Sequence, residues 1–401
     1  MPVDYQQVHA RIKEIGAGAR ERRKTLDEKR KKARDLLSTY ANQLDVLRAR
    51  VDSAKAVDAN IRCAYPVNET LVSHYPATAS VKEATLTHRV ATLIAADGSQ
   101  INPDRHAAIL YSLINVGVII LKPGSGDAPE IKTYSDLKYG DDLYTNHGIL
   151  TEDLVALGRD LSERKKLLEL GLQYPKPVIT FTDGPIELWG AEGSAQEEYR
   201  RNRENHLSIL SQLQSENIIT AGYIDKPAAD LVTRLLEISQ IQENEMRTVR
   251  DIHTLRGVTD RWLFGDEGNP LLKKGERSAI FIIQSSSRNH YTGNLEIHFF
   301  YLNVGTDGHP WIVRVEIPAW VADDKEKINL LQASLLDQCE IMGAKPYPYL
   351  LHRAHETALV KQEEKQQIEQ MLAQELRNQN ENVDEGSYKQ SAKDLKGRTR
   401  M

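Results

Sequence analysis

Apolar and polar residues along the chain follow two different periods. Short runs rich in β-branched residues and bounded by turn residues predict strands, and apolar positions three and four residues apart predict helices. The predicted strands lie at 90–96, 108–121, 131–139, 178–182, 221–225, 278–286, 296–304 and 311–317. The predicted helices lie at 152–172, 197–215, 228–241, 327–342 and 349–379. Strands interspersed with helices in this way predict an α/β fold, a mixed sheet flanked by helices.

The two ends of the chain have a different pattern from the middle. Residues 20–34 are densely basic, and six apolar residues then follow at spacings of three and four, namely Leu37, Tyr40, Leu44, Leu47, Val51 and Ala54. We expect residues 1–60 to form a basic, amphipathic helical segment that docks on its own domain or on a second copy. A basic arm that contacts DNA is the alternative. Residues 361–401 are expected to form a polar helix end and, from about 380, a disordered tail.

Composition and charge exclude several classes of protein. The 401 residues are 40% hydrophobic and 27% charged, with a net charge of −5, which argues against a generally cationic DNA-coating protein. No apolar run approaches the roughly 20 residues of a membrane-spanning helix. The N-terminus lacks a signal-peptide pattern, and the two cysteines form neither a CxxC motif nor a disulfide framework. We therefore expect a cytoplasmic protein without a membrane partner.

Two of the predicted strands lead into the dipeptide Asp-Gly. Asp97-Gly98 follows the apolar run at 93–96, and Asp183-Gly184 follows the run at 178–182. Functional groups collect at the carboxyl ends of strands in open α/β sheets, and neighbouring strands lie about 4.8 Å apart. If these strands are neighbours, the two carboxylates can share a divalent cation. An ordinary Asp-Gly turn is the alternative for each site.

Further candidate ligands lie on two predicted helices. Glu163 lies on the helix that leads into the second of these strands, 20 residues before Asp183. His352 and His355 lie one turn apart near the start of the last long helix. A solvent-facing glutamate and ordinary core or surface histidines are the alternatives for these positions.

Six short blocks, taken in order, resemble the NurA nuclease family. They are AADGSQ at 95–100, TDGPI at 182–186, TAGYIDKP at 220–227, GERSAIF at 275–281, RVEIPAW at 314–320 and YPYLLHRAH at 347–355. The resemblance spans roughly residues 88–360 and implies a NurA-like nuclease domain over residues 85–360. It also implies an RNase H-like core, a manganese-dependent DNA nuclease, a homodimer, and a HerA-type hexameric ATP-driven translocase as partner. The setting would be DNA repair, in end resection, or defence against phage.

Carried onto this chain, the resemblance implies four catalytic and metal-binding residues: Asp97, Glu163, Asp183 and His355. Carboxylates suit Mg²⁺ or Mn²⁺, and an imidazole shifts the preference toward Mn²⁺. We expect Mn²⁺, with Mg²⁺ as the alternative cofactor. Lys226 and Arg277 are candidates for DNA contacts or, equally, for structural ion pairs.

Two other functions fit the same residues. An RNase H-like ribonuclease would keep the fold and act on RNA or on a hybrid, because a fold does not determine function. A non-catalytic, dimeric adaptor would use the apolar residues at 37–54 and the polar extensions to bind partners, but it would not need acids at strand ends.

Overall fold

A computed structural model of the chain describes residues 3–77, 91–188 and 196–380. The chain divides into two compact units, one formed by residues 1–78 and 224–325 and the other by residues 79–223 and 326–401. We call them the first and the second unit. The predicted segments are continuous in sequence, whereas each unit combines two separate stretches of the chain. The predicted boundaries at residues 60, 85 and 360 therefore stay predictions.

The elements are numbered in chain order. The helices are α1 (Tyr5–Ala17), α2 (Ala19–Thr39), α3 (Leu44–Val57), α4 (Glu152–Gly171), α5 (Gln196–Ser215), α6 (Leu231–Gln240), α7 (Asp260–Phe264), α8 (Ala319–Ala322), α9 (Lys325–Ile341), α10 (Tyr349–Ala358) and α11 (Gln362–Asn378). The strands are β1 (Cys63–Pro66), β2 (Thr92–Ile101), β3 (Tyr111–Leu121), β4 (Glu130–Tyr139), β5 (Tyr144–Thr145), β6 (Gly148–Ile149), β7 (Val178–Asp183), β8 (Ile219–Ile224), β9 (Phe281–Gln284), β10 (Ile297–Asn303) and β11 (Ile312–Pro318).

The second unit contains a five-stranded mixed sheet in the order β8-β7-β2-β3-β4. The meander β2-β3-β4 is antiparallel, whereas β7 runs parallel to both β2 and β8. Numbered within this unit, the strand order is 3-2-1-4-5, the arrangement expected of an RNase H-like sheet. The predicted α/β class with a mixed sheet flanked by helices is confirmed.

The central strands of this sheet are buried on both faces, as their sequences require. Residues 92–96 of β2 and 178–182 of β7 are all buried, and β3 is buried along almost its whole length. Strands covered on both faces are continuously apolar rather than alternating. By contrast β4 is largely exposed, and lies at the edge of the unit's sheet.

Two helices pack against opposite faces of β2. Gly98 faces α4, because an added Cβ there would lie 2.7 Å from Glu163 Oε1. Gly117 faces α10, because an added Cβ would lie 2.6 Å from the backbone nitrogen of Ala358. Gly117 pairs with Asp97 across the sheet, so Asp97 and Gly98 project to opposite faces, as successive residues of a strand do.

The first unit contains a four-stranded antiparallel sheet in the order β1-β9-β10-β11. The apolar residues Leu37, Leu47, Val51 and Ala54 are buried. The segment is helical but not one continuous helix, because α2 ends at Thr39 and α3 begins at Leu44. Apolar spacing shows which residues are buried, but it does not require that one helix carries them. The alternative in which the segment docks on its own domain accounts for these residues, and most of the apolar residues that an adaptor would use are buried.

The last predicted helix, over 349–379, is also two helices. The backbone leaves the helical region at Leu359. A new helix, α11, follows Lys361. The backbone of Lys361 is extended, and its N–H donates to Glu364 at 2.7 Å. A glutamate that accepts from the backbone N–H at the N-cap in this way marks the start of a new helix even where the apolar period continues. The expected disordered tail, from residue 381 onward, lies outside the described residues. In the part of the chain that the structure describes, no helix has the length and apolar character to cross a membrane.

The close approach of α10 to β3 gives a test of the fold. We expect Gly117→Ala to destabilise the protein by about 1–3 kcal/mol, because the added methyl would clash with helix backbone that cannot move independently. Urea unfolding measures this difference. Gly268→Ala is the control, since a Cβ at Gly268 meets no atom within 4 Å. Equal stabilities for the two variants would contradict the packing described.

Candidate acidic site on the central strand

Asp97 lies within a strand rather than at its end. The expectation that the first Asp-Gly ends its strand is wrong, because β2 continues from Thr92 through Gly98 to Ile101. Residues 97–101 pair with β3 but not with β7, whose last residue is Asp183. The Asp97 side chain therefore lies at the point where the parallel neighbour stops. Its Oδ1 accepts from the backbone N–H of Gly98 at 2.8 Å.

His355 lies directly against Asp97. Its Nδ1 is 2.7 Å from Asp97 Oδ2. The Asp97 side chain is 16% exposed, whereas that of His355 is 57% exposed. His352, the other candidate on this helix, lies 3.5 Å from Glu356 instead.

The last turn of α10 is held in place by polar contacts with the sheet. The carbonyl of Ala358 accepts from Asn115 Nδ2 at 2.8 Å and from the hydroxyl of Ser99. Asn115 Oδ1 in turn accepts from Ser135 at 2.7 Å. Together with the missing Cβ at Gly117, these bonds fix α10 close enough for His355 to reach Asp97.

Glu163 approaches Asp97 from the other face of the sheet. It is buried on α4, with its side chain 7% exposed, and its Oε1 lies 3.5 Å from Arg159 Nε. Burial raises the pKa of Glu163 well above its ordinary value, and the negative charges of Asp160 and Asp97 raise it further. Asp97 and Glu163 therefore interact electrostatically across β2. Arg159 also pairs with Asp160, at 2.8 Å.

Asp183 is the exposed last residue of β7. Thr182 pairs with Ala96, so Asp183 and Asp97 are the next residues along two parallel neighbours and project to the same face. Beyond Asp183 the chain turns at Gly184, whose φ of +95° favours glycine. Buried Arg164 on α4 donates to the Pro185 carbonyl at 2.8 Å and so fixes this turn.

The donor set fits a hard divalent cation in chemistry. Three carboxylates and an imidazole are ligands that Mn²⁺ and Mg²⁺ accept, and they come from β2, β7, α4 and α10 of one unit. Among the residues that the structure describes, however, no three such side chains already have the spacing of a metal site. The contact between Asp97 and His355 is the assembled part of the predicted ligand set.

The two candidates for DNA contacts have different surroundings. Arg277 is buried and donates to both carboxylate oxygens of Glu69, at 2.9 and 3.0 Å, so it forms a structural ion pair. That pair accounts for Arg277 without any DNA contact. Lys226 is exposed, with its Nζ 4.3 Å from the centre of the Trp311 ring. The indole of Trp311 donates to Asp225 at 2.7 Å.

Several residues that shape the site were not found from the sequence. They are Gly117, Asn115 and Ser99, which seat α10, together with Arg164, which fixes the turn after Asp183, and Arg159, which contacts Glu163. The glycine in the middle of an otherwise apolar strand was an available signal, because such a glycine marks a close backbone approach. The two arginines gave no signal on a helix that carries many charges.

Comparison with known proteins places the chain in a family. The NurA domain model matches residues 91–360. Among solved structures, the NurA nuclease from Sulfolobus solfataricus has 13% identity and a TM-score of 0.43, over 85% of this chain and 94% of that chain. Endonuclease V from Ciona intestinalis, in complex with DNA, has 11% identity and a TM-score of 0.28, over 80% and 96%. The catalytic domain of human Endonuclease V has 12% identity and a TM-score of 0.30, over 82% and 98%. No curated protein matches the chain.

The TM-scores of these three structures are all below 0.5, so the class of protein is assigned from the fold and from the family match. A mixed 3-2-1-4-5 sheet with acids clustered at its central strand defines an α/β protein of the RNase H-like class. The matched region covers about two thirds of the sequence, and the chain belongs to the NurA family. Membership of this family makes it a nuclease.

The burial of Glu163 gives a prediction about pH. A carboxyl whose pKa is raised in the folded state holds its proton more tightly when folded, so stability falls as the pH rises above the ordinary glutamate range. Glu163→Gln keeps the neutral form at every pH. Without metal, we expect this variant to be more stable than the parent at pH 8, with the gain disappearing toward pH 4.

Urea unfolding across this pH range measures the effect. Glu169→Gln on the same helix is the control, and we expect no such gain there, because the Glu169 side chain is 40% exposed and lies 2.6 Å from Lys166. A Glu163→Gln variant that is less stable than the parent at pH 8 would mean that Glu163 is stabilised by Arg159 and not strained by its burial.

Proposed function

We propose that the chain is a metal-dependent nuclease that hydrolyses DNA phosphodiesters and processes DNA ends. The observation that carries this proposal is the 2.7 Å contact between Asp97 and His355, with buried Glu163 approaching from the opposite face of the same strand. Family membership alone does not identify the catalytic residues. This contact joins two of the blocks that carry the family resemblance, although 258 residues separate them in sequence.

Asp97, Glu163, Asp183 and His355 would hold the metal, which we propose to be Mn²⁺, with Mg²⁺ as the alternative. When bound, such a cation relieves the negative charge on the phosphate and helps to activate water. In the structure, one oxygen of Asp97 accepts from Gly98 and the other from the His355 imidazole. An imidazole that donates from Nδ1 keeps its Nε2 lone pair available to a cation or a proton.

Two arginines stabilise this arrangement of acidic side chains. Arg159 lies between Asp160 and Glu163, and it offsets the repulsion between the carboxylates while no metal is bound. Arg164 fixes the turn beyond Asp183 and so orients the third acid. Glu163, whose carboxylate contacts Arg159, would supply the remaining ligand.

The proposed partners follow from the family resemblance. They are a HerA-type hexameric ATPase that feeds DNA to the nuclease and a second copy of the chain, and the setting is DNA repair or defence against phage. The apolar residues at 37–54 do not support the dimer, because most of them are buried within the first unit. Exposed Tyr5, Val8, Ile12 and Ile15 on α1 provide an apolar surface instead.

The first test is substitution of the acids. We expect Asp97→Asn and Asp183→Asn each to lower cleavage of DNA in Mn²⁺ by at least about 100-fold, because each removes a charged ligand. The melting temperature without metal should change little or rise, since the substitution removes a repulsive charge. Asp127→Asn, in an exposed loop of the same unit, is the control and should cleave normally.

The same assay separates DNA from other substrates. Matched DNA, RNA and hybrid oligonucleotides are compared under identical conditions, and the proposal requires DNA to be cut fastest. Preferential cleavage of RNA or of the hybrid would establish the ribonuclease alternative. A large loss of stability in both variants would mean instead that the aspartates are structural caps.

The oligomeric state is tested by light scattering. We expect a species of twice the 45.3 kDa of one chain at micromolar concentration. A double substitution of Ile12 and Ile15 by Ser should shift the protein toward monomer, because it removes exposed apolar surface without opening the core. A single 45.3 kDa species in the parent protein would contradict the dimer.

A further inference from the structure

The outer edge of the second unit's sheet is a long, unpaired strand. β4 pairs with β3 in one unbroken register, from Ile120 opposite Glu130 to Tyr111 opposite Tyr139, so it contains no bulge. In the part of the chain that the structure describes, no strand pairs with its other edge. Natural edge strands are often protected by short length, by bulges or by proline. β4 has ten residues and no proline, and its free backbone groups are therefore open to another strand.

The two faces of β4 differ in character. One face carries exposed apolar residues, namely Ile131, Leu137 and Tyr139. The other face carries two acids and two lysines around a central aromatic ring, in the order Glu130, Lys132, Tyr134, Asp136 and Lys138. The side chains of Glu130 and Lys132 are 45% and 34% exposed. Both faces thus present accessible side chains to a strand that pairs with this edge.

The sequence of β4 is complementary to itself when it is read in the opposite direction. In an antiparallel pair of two β4 strands with Tyr134 opposite Tyr134, every residue from 130 to 138 meets a partner of matching chemistry. The pairs are Glu130 with Lys138, Ile131 with Leu137, Lys132 with Asp136 and Thr133 with Ser135. Opposite charges, apolar pairs, hydroxyl pairs and aromatic pairs are the cross-strand combinations that stabilise antiparallel sheets.

The charges favour this register over its neighbours. Two copies related by a two-fold axis perpendicular to the sheet keep the same face upward, so the pairing is centred on a residue. Centring the pair one residue earlier places Glu130 opposite Asp136. Centring it one residue later places Lys132 opposite Lys138. Like charges directly opposite are destabilising. Lysines on an edge strand usually prevent association, whereas here each has an acid opposite and so fixes the register.

We propose that two copies of the chain associate through β4 and form one continuous sheet, with Tyr134 opposite Tyr134. The inference rests on the proposed dimer and names a contact surface in the second unit, in addition to the apolar surface of α1 in the first. The interface is isologous, because the same residues face each other from both copies. The two candidate sites then lie on the same face of the sheet, with five strand spacings, or about 24 Å, between the two β2 strands.

The register is tested by cysteine crosslinking under mild oxidation. Tyr134→Cys places two thiols directly opposite each other, and we expect a disulfide-linked dimer of the 45.3 kDa chain on a non-reducing gel. Lys132→Cys alone should not crosslink, because its two copies are offset by four residues, or about 13 Å. A mixture of Lys132→Cys and Asp136→Cys chains should crosslink, because these two residues face each other.

The native cysteines do not interfere with this test, since Cys63 and Cys339 are buried. Ser211→Cys, at an exposed position of α5 in the same unit, measures crosslinking by random collision. A yield from Tyr134→Cys no higher than that from Ser211→Cys would overturn the interface. Crosslinking of Lys132→Cys alone as readily as Tyr134→Cys would overturn the register.

Charge reversal tests the same register without cysteines. Asp136→Lys places two ammonium groups opposite each other at two symmetric positions, and we expect it to weaken the dimer at least about tenfold in sedimentation equilibrium. Reversal of all four charges, in Glu130→Lys/Lys132→Glu/Asp136→Lys/Lys138→Glu, restores every pair and should return the affinity to within about threefold of the parent. Glu204→Lys, at an exposed position of α5, is the control and should dimerise normally.

An unchanged affinity in Asp136→Lys would contradict the interface. So would a fully reversed variant that melts like the parent but stays monomeric.

The outcome is separate from the nuclease activity. If the chain cuts no DNA but Tyr134→Cys crosslinks in the expected register, the proposed function fails and the β4 interface stands. If the chain is a dimer that cuts DNA in Mn²⁺ and Tyr134→Cys does not crosslink, the β4 interface fails and the function stands.

Discussion

The site depends on the close approach of two helices to opposite faces of one strand. Gly98 has no Cβ, so α4 brings Glu163 against β2 on one face. Gly117, opposite Asp97 on β3, has none either, so α10 brings His355 to the other face. Either close approach would be blocked by a single methyl group. The spacing between helix and sheet at these two glycines therefore determines how closely Glu163 and His355 approach the central strand.

Electrostatics explains why this packing needs compensation. Burial raises the cost of the charge on Glu163, and the negative charges of Asp160 and Asp97 near the central strand add to it. Arg159 supplies the nearby positive charge, and His355 supplies a hydrogen bond to Asp97. A site that carries more negative charge than its own residues neutralise is suited to a divalent cation, because the cation inverts the local charge and allows an anionic substrate to bind.

The sequence alone was sufficient for the class of fold and for most elements. The buried strands at 178–182 and 111–121 are long apolar runs, and the amphipathic helix at 152–172 has a clear period, so local patterns identify them. Predictions from local patterns were wrong where strand pairing or helix capping determines the structure. Asp97-Gly98 looks like a turn but stays in the strand because β3 supplies a partner along its whole length. The last helix breaks at 359–361 because the backbone is non-helical at Leu359 and the Lys361 N–H bonds to Glu364 at the start of a new helix.

For the site, the candidates came from spacing and from the family resemblance, but their relations needed the structure. The family resemblance favoured His355 over His352, and the packing of α10 on Gly117 shows that His355 is the one that meets Asp97. Arg277 has the same charge as a DNA-contacting residue, yet its ion pair with Glu69 spans 208 residues and cannot be inferred from sequence. Residues that hold a site through long-range contacts leave little trace in a single sequence.

The most direct test of the central claim is a crystal of the protein soaked in manganese, with the metal located by its anomalous scattering. The account predicts a peak within ligand distance, about 2.0–2.4 Å, of oxygens from Asp97 and Asp183, with the Glu163 carboxylate turned toward it and His355 in contact. A peak bound elsewhere, or a fully loaded crystal in which Asp97 and His355 keep their hydrogen bond and touch no metal, would contradict it.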